Sequence, residues 1–300
     1  MFCDLHAHST ASDGTTAPSD LPALAMAAGL RAVALTDHDT TEGLPACAAA
    51  SAAAGIAFVP GIEVSADPAL EARDVPADPP RRGTLHILGL FVRHDDPRLA
   101  DVHDRMRAAR DSRNPAIVER LNELGVPIHY AEVQQIADEQ GTRIIGRPHI
   151  AAVLMRKGVV KTVRDAFRTY IGQGAPAYVR RDRLPADQAI DAIHHAGGLA
   201  VLAHPIQLGL REPGGLEQFL ARLKALGLDG IETHHSDHDA AQVRRYTDLA
   251  RQFDLMPSGG SDFHGARKAV QLGSQNVPLD FYERLRKVVD DRVDGAATGK

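Results

Sequence analysis

Short apolar runs recur along this chain, and nearly every one finishes in histidine or a carboxylate. Residues 2–5 lead into His6-Ala7-His8-Ser9, and residues 32–35 into Thr36-Asp37-His38-Asp39. Residues 56–59 continue through Pro60-Gly61 into Ile62-Glu63-Val64-Ser65, and the run 84–90 carries His86 within it. Further on, residues 199–203 end in His204-Pro205, residues 230–232 in His234-His235-Ser236, and residues 255–260 in Ser261-Asp262-Phe263-His264. Runs this short and this apolar predict strands covered on both faces. Helical segments lie between several of them, at 19–28, 41–54, 185–196, 214–226 and 238–253. The first three close on Gly29, Gly55 and Gly197-Gly198, and a glycine just past the last periodic residue ends a helix cheaply. Strand alternating with helix predicts parallel βα units. About seven such strands predict a barrel-like α/β fold, in which sites gather at the carboxyl ends of strands.

The middle of the chain reads differently. Between about 97 and 183 there is little strand signal, and 99–124, 131–139, 149–157 and 162–170 read as helices, the first weakened at Asn114-Pro115. This predicts a barrel built from residues 1–97 and 184–300, interrupted by a helical insertion at 98–183 that serves as a lid or substrate domain. Residues 75–83, rich in Pro and Arg, read as an extended surface loop ahead of His86, and the small polar tail from 292 to 300 is expected to fray. No internal repeat emerges beyond the βα period.

Composition narrows the function classes. With 44% hydrophobic and 24% charged residues the chain can bury a sizeable core. A net charge of −5 excludes capture of nucleic acid by the whole surface, so duplex DNA is not an expected partner, though a small basic pocket remains open. Two cysteines, Cys3 and Cys47, make no disulfide scaffold and suit a reducing cytosol. No stretch approaches the roughly 20 apolar residues that span a bilayer, and the N-terminus lacks the pattern of a signal peptide. A cytoplasmic location without membrane contact is expected; the oligomeric state stays open.

Fifteen histidines against 13 Phe and Tyr and no Trp is a lopsided allocation. His6 and His8 share one face of a strand, since side chains alternate with period two. Alone, His-x-His says little. Its weight comes from repetition, because Asp13, His38, Glu63, His86, His204, Asp262 and His264 each fall at or near the end of a different expected strand, or on the loop leaving it. So many imidazoles and carboxylates converging on one barrel mouth would be costly to desolvate without cations. Nine candidate ligands suit two or three divalent ions. Mixed imidazole and carboxylate donors suit zinc, manganese or iron better than calcium or magnesium alone.

The segments His6-x-His8, Asp13-Gly14, Leu35-Thr36-Asp37-His38-Asp39, Gly61-Ile62-Glu63-Val64-Ser65, Ala203-His204-Pro205 and Gly259-Gly260-Ser261-Asp262-Phe263-His264 together resemble the polymerase and histidinol phosphatase (PHP) superfamily over nearly the whole chain. The resemblance implies a distorted (β/α)7 barrel with a trinuclear metal centre. One metal would take His6, His8, Glu63 and Asp262; a second would share Glu63 and add His86 and His204; the third would use Asp13, His38 and His264. Gly146-Arg147-Pro148-His149-Ile150-Ala151, Ala166-Phe167, Tyr170 and Gly174-Ala175-Pro176-Ala177-Tyr178-Val179 resemble one subgroup, the 3′,5′-nucleoside bisphosphate phosphatases and the related RNase AM-like 5′-to-3′ exoribonucleases that trim short RNA.

The resemblance implies a small nucleotide substrate, with short RNA as an alternative. Phosphomonoester hydrolysis, for example of adenosine 3′,5′-bisphosphate to AMP, would use a metal-bridging hydroxide held by Glu63 and Asp262. Arg147 can grip a phosphate bidentately, and His149 lies near the start of the same helix, where backbone N–H groups favour anions. His235 and Ser236 are expected to line the pocket, with His234 and His238 less so. Asp37 and Asp39 flank a ligand and would orient it. His194 and His195 complement a helix dipole, and His94, His103 and His129 read as solvated. The competing classes are an amidohydrolase with similar ligands and a non-catalytic metal-binding module; histidinol phosphate is a weaker substrate candidate.

Overall fold

The computed structural model describes residues 1–68, 83–142, 144–210 and 212–297. Eight strands form one sheet: β1 (Phe2–Asp4), β2 (Leu30–Leu35), β3 (Ala57–Ala66), β4 (Leu85–Leu90), β5 (Leu199–Leu202), β6 (Gly230–His234), β7 (Met256–Gly259) and β8 (Val277–Pro278), hydrogen-bonded in the order β7-β6-β5-β4-β3-β2-β1-β8. The sheet curls until its β1 and β7 sides meet. Beyond the strands proper, Leu5 N–H donates to Gly259 O (3.0 Å), Asp262 N–H to His6 O (2.9 Å) and His8 N–H to Phe263 O (2.8 Å). Strands β1 to β7 thus make a nearly closed barrel, and β8 is a two-residue antiparallel addition on β1.

Strands β1–β2–β3 and β5–β6–β7 run parallel, but β4 is antiparallel to both β3 and β5. The expectation of parallel units throughout therefore fails at β4, because an apolar run carries no mark of its direction. The reversal matters for the site. At the mouth where the other strands present their carboxyl ends, β4 presents its start, and His86 is its second residue. Strand β3 also pairs unevenly: with β2 up to Pro60 and with β4 from Gly61 onward, while Glu63 still bridges to His38 beyond the end of β2. This is the distortion in the barrel.

The helices are α1 (Leu21–Ala27), α2 (Leu44–Ala54), α3 (Pro97–Glu123), α4 (Tyr130–Glu139), α5 (Arg147–Arg156), α6 (Val163–Ala166, continuing into a wider turn at Phe167–Ile171), α7 (Ala186–His195), α8 (Gly215–Ala225), α9 (Ala240–Gln252) and α10 (Leu279–Ala297). Helix α3 stays continuous through Pro115, contrary to the expected weakening. Burial of Met106, Ile117 and Leu121 on one face holds it together, each fully buried aliphatic side chain contributing about 1.5–3 kcal/mol. The tail departs from expectation as well. Residues 292–297 are helical, and Arg292 reaches Asp229 at 2.5 Å. The expected loop at 75–82 and residues 298–300 lie outside the described residues.

The chain divides into two compact units, Met1–Val102 with Leu184–Lys300, and His103–Arg183. The first holds the barrel, with a core that includes Leu5, Val59, Leu88, Leu90 and Val201, capped by Leu285 and Val288 of α10. The second is helical, with its own core around Ile117, Leu121, Val133, Ile136, Ile150 and Leu154. Among the described residues no helix is long and apolar enough to cross a membrane.

Candidate metal centre

His6 and His8 sit on extended backbone just past β1. Leu5 and Ala7 alternate with them and are fully buried. Thr36 N–H donates to Ala7 O (2.8 Å) on one flank, while the 259–263 segment bonds the other, so both imidazoles are gripped between the continuations of β2 and β7. Space there is tight. A Cβ on Gly260 would overlap the Cβ and backbone N of His6, so only glycine lets the two segments close. Asp262 (φ +56°) and His204 (φ +26°) both have left-handed backbones, a strain of order 1–3 kcal/mol each that persists where surrounding structure enforces it.

Glu63, on β3, is the hub. Its Oε1 faces His86 Nδ1 (2.7 Å) and His204 Nε2 (2.9 Å); its Oε2 faces His38 Nδ1 (2.9 Å), His8 Nε2 (3.2 Å) and His6 Nε2 (3.4 Å). Asp262 Oδ1 lies 3.1 Å from His8 Nε2 and 3.6 Å from His6 Nε2. Asp13 Oδ1 lies 3.3 Å from His264 Nε2 and 3.9 Å from His38 Nε2. All nine residues expected as ligands therefore come together, His86 among them. Their donor atoms fall into overlapping groups, including His6/His8/Glu63, His38/Glu63/His86 and His8/Asp13/His38/His264.

These residues fit divalent cations. His6 Nε2 and His8 Nε2 face each other at 3.1 Å, so two ring nitrogens turn into the same buried space. His6 donates from Nδ1 to Glu232 Oε1 (3.0 Å) and His264 from Nδ1 to Asp262 O (2.8 Å), which leaves the Nε2 lone pair of each aimed at the cluster. Glu63 Oε2, Asp13 Oδ1 and His38 Nδ1 are buried with no well-formed hydrogen bond. Burial pushes the Glu63 carboxyl up, yet His38, His86 and His6 outweigh it and hold it well below the usual range. Asp262 and Asp13 are held low in the same way, burial being outweighed chiefly by His6 and by His264 respectively. The imidazoles split. Burial takes His86 down to about 4, whereas Asp262 and Glu63 overcome burial at His8 and carry it up to about 9. Carboxylates that demand this much positive charge in a buried place are what a cation site offers.

Sequence reading missed three residues of this constellation. Glu232 is fully buried on β6 and accepts from both the His6 ring and His204 N–H (2.7 Å), so one carboxylate fixes two ligands. Its charge on a strand buried from Gly230 to Thr233 was the available signal. Lys268 reaches Asp262 Oδ2 at 2.5 Å from six residues downstream. Asp4 accepts from the N–H groups of Ser261 (2.9 Å), Gly273 (2.7 Å) and His6 (3.3 Å) and ties the closing segments together. Asp37 accepts from Ser9 N–H (2.8 Å) and the Ser9 and Ser12 hydroxyls, and Asp39 from Ser65 N–H (2.7 Å) and Oγ (3.0 Å). Both therefore brace ligand-bearing loops.

The residues expected to contact substrate divide. His235 is fully buried, its Nε2 3.4 Å from Asp262 Oδ2. Its Nδ1 accepts from Asp237 N–H (3.0 Å), so Nε2 carries the proton and His235 faces the cluster as a donor. Ser236 is half-buried beside it, and His234 turns away to Thr233 and Phe281. Arg147 and His149 belong to the helical unit. His149 is fully buried, with Nδ1 accepting from Gly146 N–H (3.0 Å) and Nε2 against Thr142 Oγ1 (2.9 Å). These contacts tie His149 to the start of its own helix. Outside the site, His194 and His195 pair with Asp229 (2.7 Å) and Asp96 (3.0 Å).

Comparison with known proteins gives concordant results. Residues 4–146 match the family model described as the PHP domain. A "5′-3′ exoribonuclease" of Haemophilus influenzae is 33% identical, covering 92% of this chain and 94% of its own length. A "3′,5′-nucleoside bisphosphate phosphatase" of Chromobacterium violaceum is 34% identical, with 87% and 86% covered. A "phosphoribosyl 1,2-cyclic phosphate 1,2-diphosphodiesterase" of Eggerthella lenta is 32% identical, with 93% and 100% covered. The crystal structure of a Bifidobacterium adolescentis protein described as a metal-dependent phosphoesterase superposes with a TM-score of 0.81 at 32% identity, covering 94% of each chain.

Proposed function

The chain belongs to the PHP domain family, and from that premise we propose that it hydrolyses one phosphomonoester of nucleoside 3′,5′-bisphosphates, adenosine 3′,5′-bisphosphate to AMP among them. It is a metal-dependent phosphoesterase. The observation that carries the reading is Glu63, whose two oxygens face separate groups of imidazoles and so can hold neighbouring cations. In this reading His6, His8, Glu63 and Asp262 hold one ion, Glu63, His86 and His204 a second, and Asp13, His38 and His264 a third, with manganese first and zinc or iron as alternatives. Such ions, when bound, acidify water and neutralise charge on phosphoryl oxygens.

The chain's own side chains do the rest. Glu232 keeps the His6 ring and the His204 backbone in register, and strained backbone at His204 and Asp262 aims two ligands inward. His235 offers an N–H, and Lys268 a positive charge, beside Asp262, where both can steady a phosphate. Arg147 holds the phosphate that does not react, so that binding energy away from the scissile bond orients it. The two cysteines are free and buried, which supports a reducing, cytoplasmic setting. The test is phosphate release from adenosine 3′,5′-bisphosphate by manganese-loaded protein, with products resolved by chromatography. Release of one phosphate to give a single AMP isomer is expected; no release with bound metal verified overturns the substrate.

A second reading, a 5′-to-3′ exonuclease on short RNA, is supported by the Haemophilus influenzae relative. End-labelled oligoribonucleotides of two to five units separate it from the first. Parallel assays with amide substrates address the amidohydrolase alternative, and a metal-loaded but inert protein would favour the non-catalytic one.

A further inference from the structure

The carboxylate of Asp262 is divided. Its Oδ1 lies 3.1 Å from His8 Nε2 and 3.6 Å from His6 Nε2, whereas its Oδ2 lies 2.5 Å from Lys268 Nζ and 3.4 Å from His235 Nε2. His264 Nδ1 is also 3.4 Å from Oδ1 but is spent on Asp262 O at 2.8 Å. The backbone beneath is fixed, with Asp262 N–H donating to His6 O (2.9 Å), so rotation of the carboxylate is the freedom that remains. Lys268 arrives through a short turn, Gly265–Arg267, pinned to the loop that bears Asp13: Thr15 N–H donates to His264 O (3.1 Å) and Ala266 N–H to Thr15 Oγ1 (2.8 Å). Gly265 has φ +67°, and a Cβ there would overlap Thr15 Oγ1, so the turn needs glycine. His235 comes from the other side and is fully buried. His6, His235 and Asp262 bring donor atoms close enough to hold an ion of their own. Asp237 N–H, however, donates to His235 Nδ1 (3.0 Å), which leaves the proton on Nε2, and a protonated ring nitrogen cannot ligate. That buried N–H has no well-formed partner, and Oδ2 stands before it.

A carboxylate binds a cation through one oxygen or through two, and a catalytic ion needs a place left open for its substrate. With Oδ2 held by an ammonium and faced by an imidazole N–H, Asp262 has one oxygen to give. We infer that Lys268 and His235 are positioning residues that keep Asp262 a one-oxygen ligand and so reserve a place on its ion for an oxygen of the substrate. Groups that hydrogen-bond a ligand from outside set its orientation and tune the ion it holds. The inference rests on the ligand set proposed above, Asp262 with His6 and His8, and not on which phosphate ester is cleaved. It gives both side chains a role in the substrate-free protein, ahead of any part in steadying a phosphate.

The test loads the full-length protein with saturating cobalt(II) and reads its visible absorption without substrate, because these bands weaken as the coordination number rises. Lys268→Met frees Oδ2 and should weaken the bands per bound cobalt. In the same variant kcat for p-nitrophenyl phosphate should fall roughly 10–100-fold. Lys268→Arg, which restores a donor, should return both toward wild type. His235→Leu should weaken the bands in the same direction, whereas His235→Gln, which keeps an N–H of similar reach, should leave them nearer wild type. The Lys268 pair covers the case in which His235→Leu does not fold. Bands unchanged in folded Lys268→Met overturn the inference and assign that lysine to phosphate alone. Loss of a bound cobalt from His235→Gln, counted by elemental analysis, overturns it too, since His235 would then be a ligand. Wild-type bands that Asp262→Ala leaves unaltered sink the ligand set and the inference with it. Failure to form AMP from adenosine 3′,5′-bisphosphate, with the band changes as expected, sinks the proposed substrate and leaves the inference standing.

Discussion

The barrel unit and the helical unit both bury ionisable side chains, but on opposite terms. Around Glu63 the charges come in both signs, with carboxylates and imidazoles within 2.7–3.4 Å of one another. Around Arg113, buried on α3, the bonded neighbour is neutral: its guanidinium donates to Asn114 Oδ1. A mixed cluster holds its shape by mutual attraction and accepts a cation by displacing protons. A buried cation among neutral groups must be held in place by hydrogen bonds alone. The contrast teaches that a buried charge is a clue to ligand chemistry only when its neighbours are read with it.

The contrast can be broken most sharply by removing one charge from each unit. Asp262→Asn should destabilise the protein by about 3–5 kcal/mol in urea unfolding, because His6, His8 and Lys268 lose a shared partner. Arg113→Met should move stability the other way. Equal signs for the two variants would erase the distinction. Next in size, Glu232→Gln keeps the shape but weakens the hold on the His6 ring and His204 backbone. Metal affinity, read by competition with a chelator, should fall roughly 10–100-fold. Arg147→Ala should raise the KM for a bisphosphate far more than for a monophosphate; equal rises would deny it a role in gripping the second phosphate.

The smallest effect concerns a control outside both clusters. Asp229 accepts from Ala200 N–H (2.8 Å), His194 and Arg292, and these contacts outweigh burial to lower its pKa. A lowered carboxylate contributes stability that is fully present above its unfolded pKa, near 4, and is lost as pH falls through the folded value. Asp229→Asn should therefore narrow the stability difference between pH 6 and pH 3, measured by urea midpoints, without altering metal content.

Much of the barrel and of the clustered residues could be read from the chain. His6 and His8 were legible because period-two alternation puts them on one face, and Asp262 and His264 because they repeat that spacing past another apolar run. The direction of β4 was not, since apolarity has no polarity along the chain; His86 was placed at the mouth although it begins its strand. Two residues of β8 are too few to carry a pattern. Glu232 was overlooked because its role depends on a partner 226 residues away. His149 shows that a histidine near a helix start can serve its own backbone, which a motif does not reveal, and Arg113 stayed hidden because an arginine in a long polar helix reads as solvated.

The seam between residues 5–8 and 259–263 has a temporal consequence. Asp4 meets Ser261 at a sequence separation of 257, a contact that cannot form until both segments have been made. During synthesis His6 emerges 226 residues ahead of Glu232, which orients it, and Asp262, which balances it, follows later still. Contacts this distant in sequence form late, after their loop-closure entropy is met. A nascent chain is thus unable to assemble the full donor set until the barrel can shut, so metal capture and fold completion become one event.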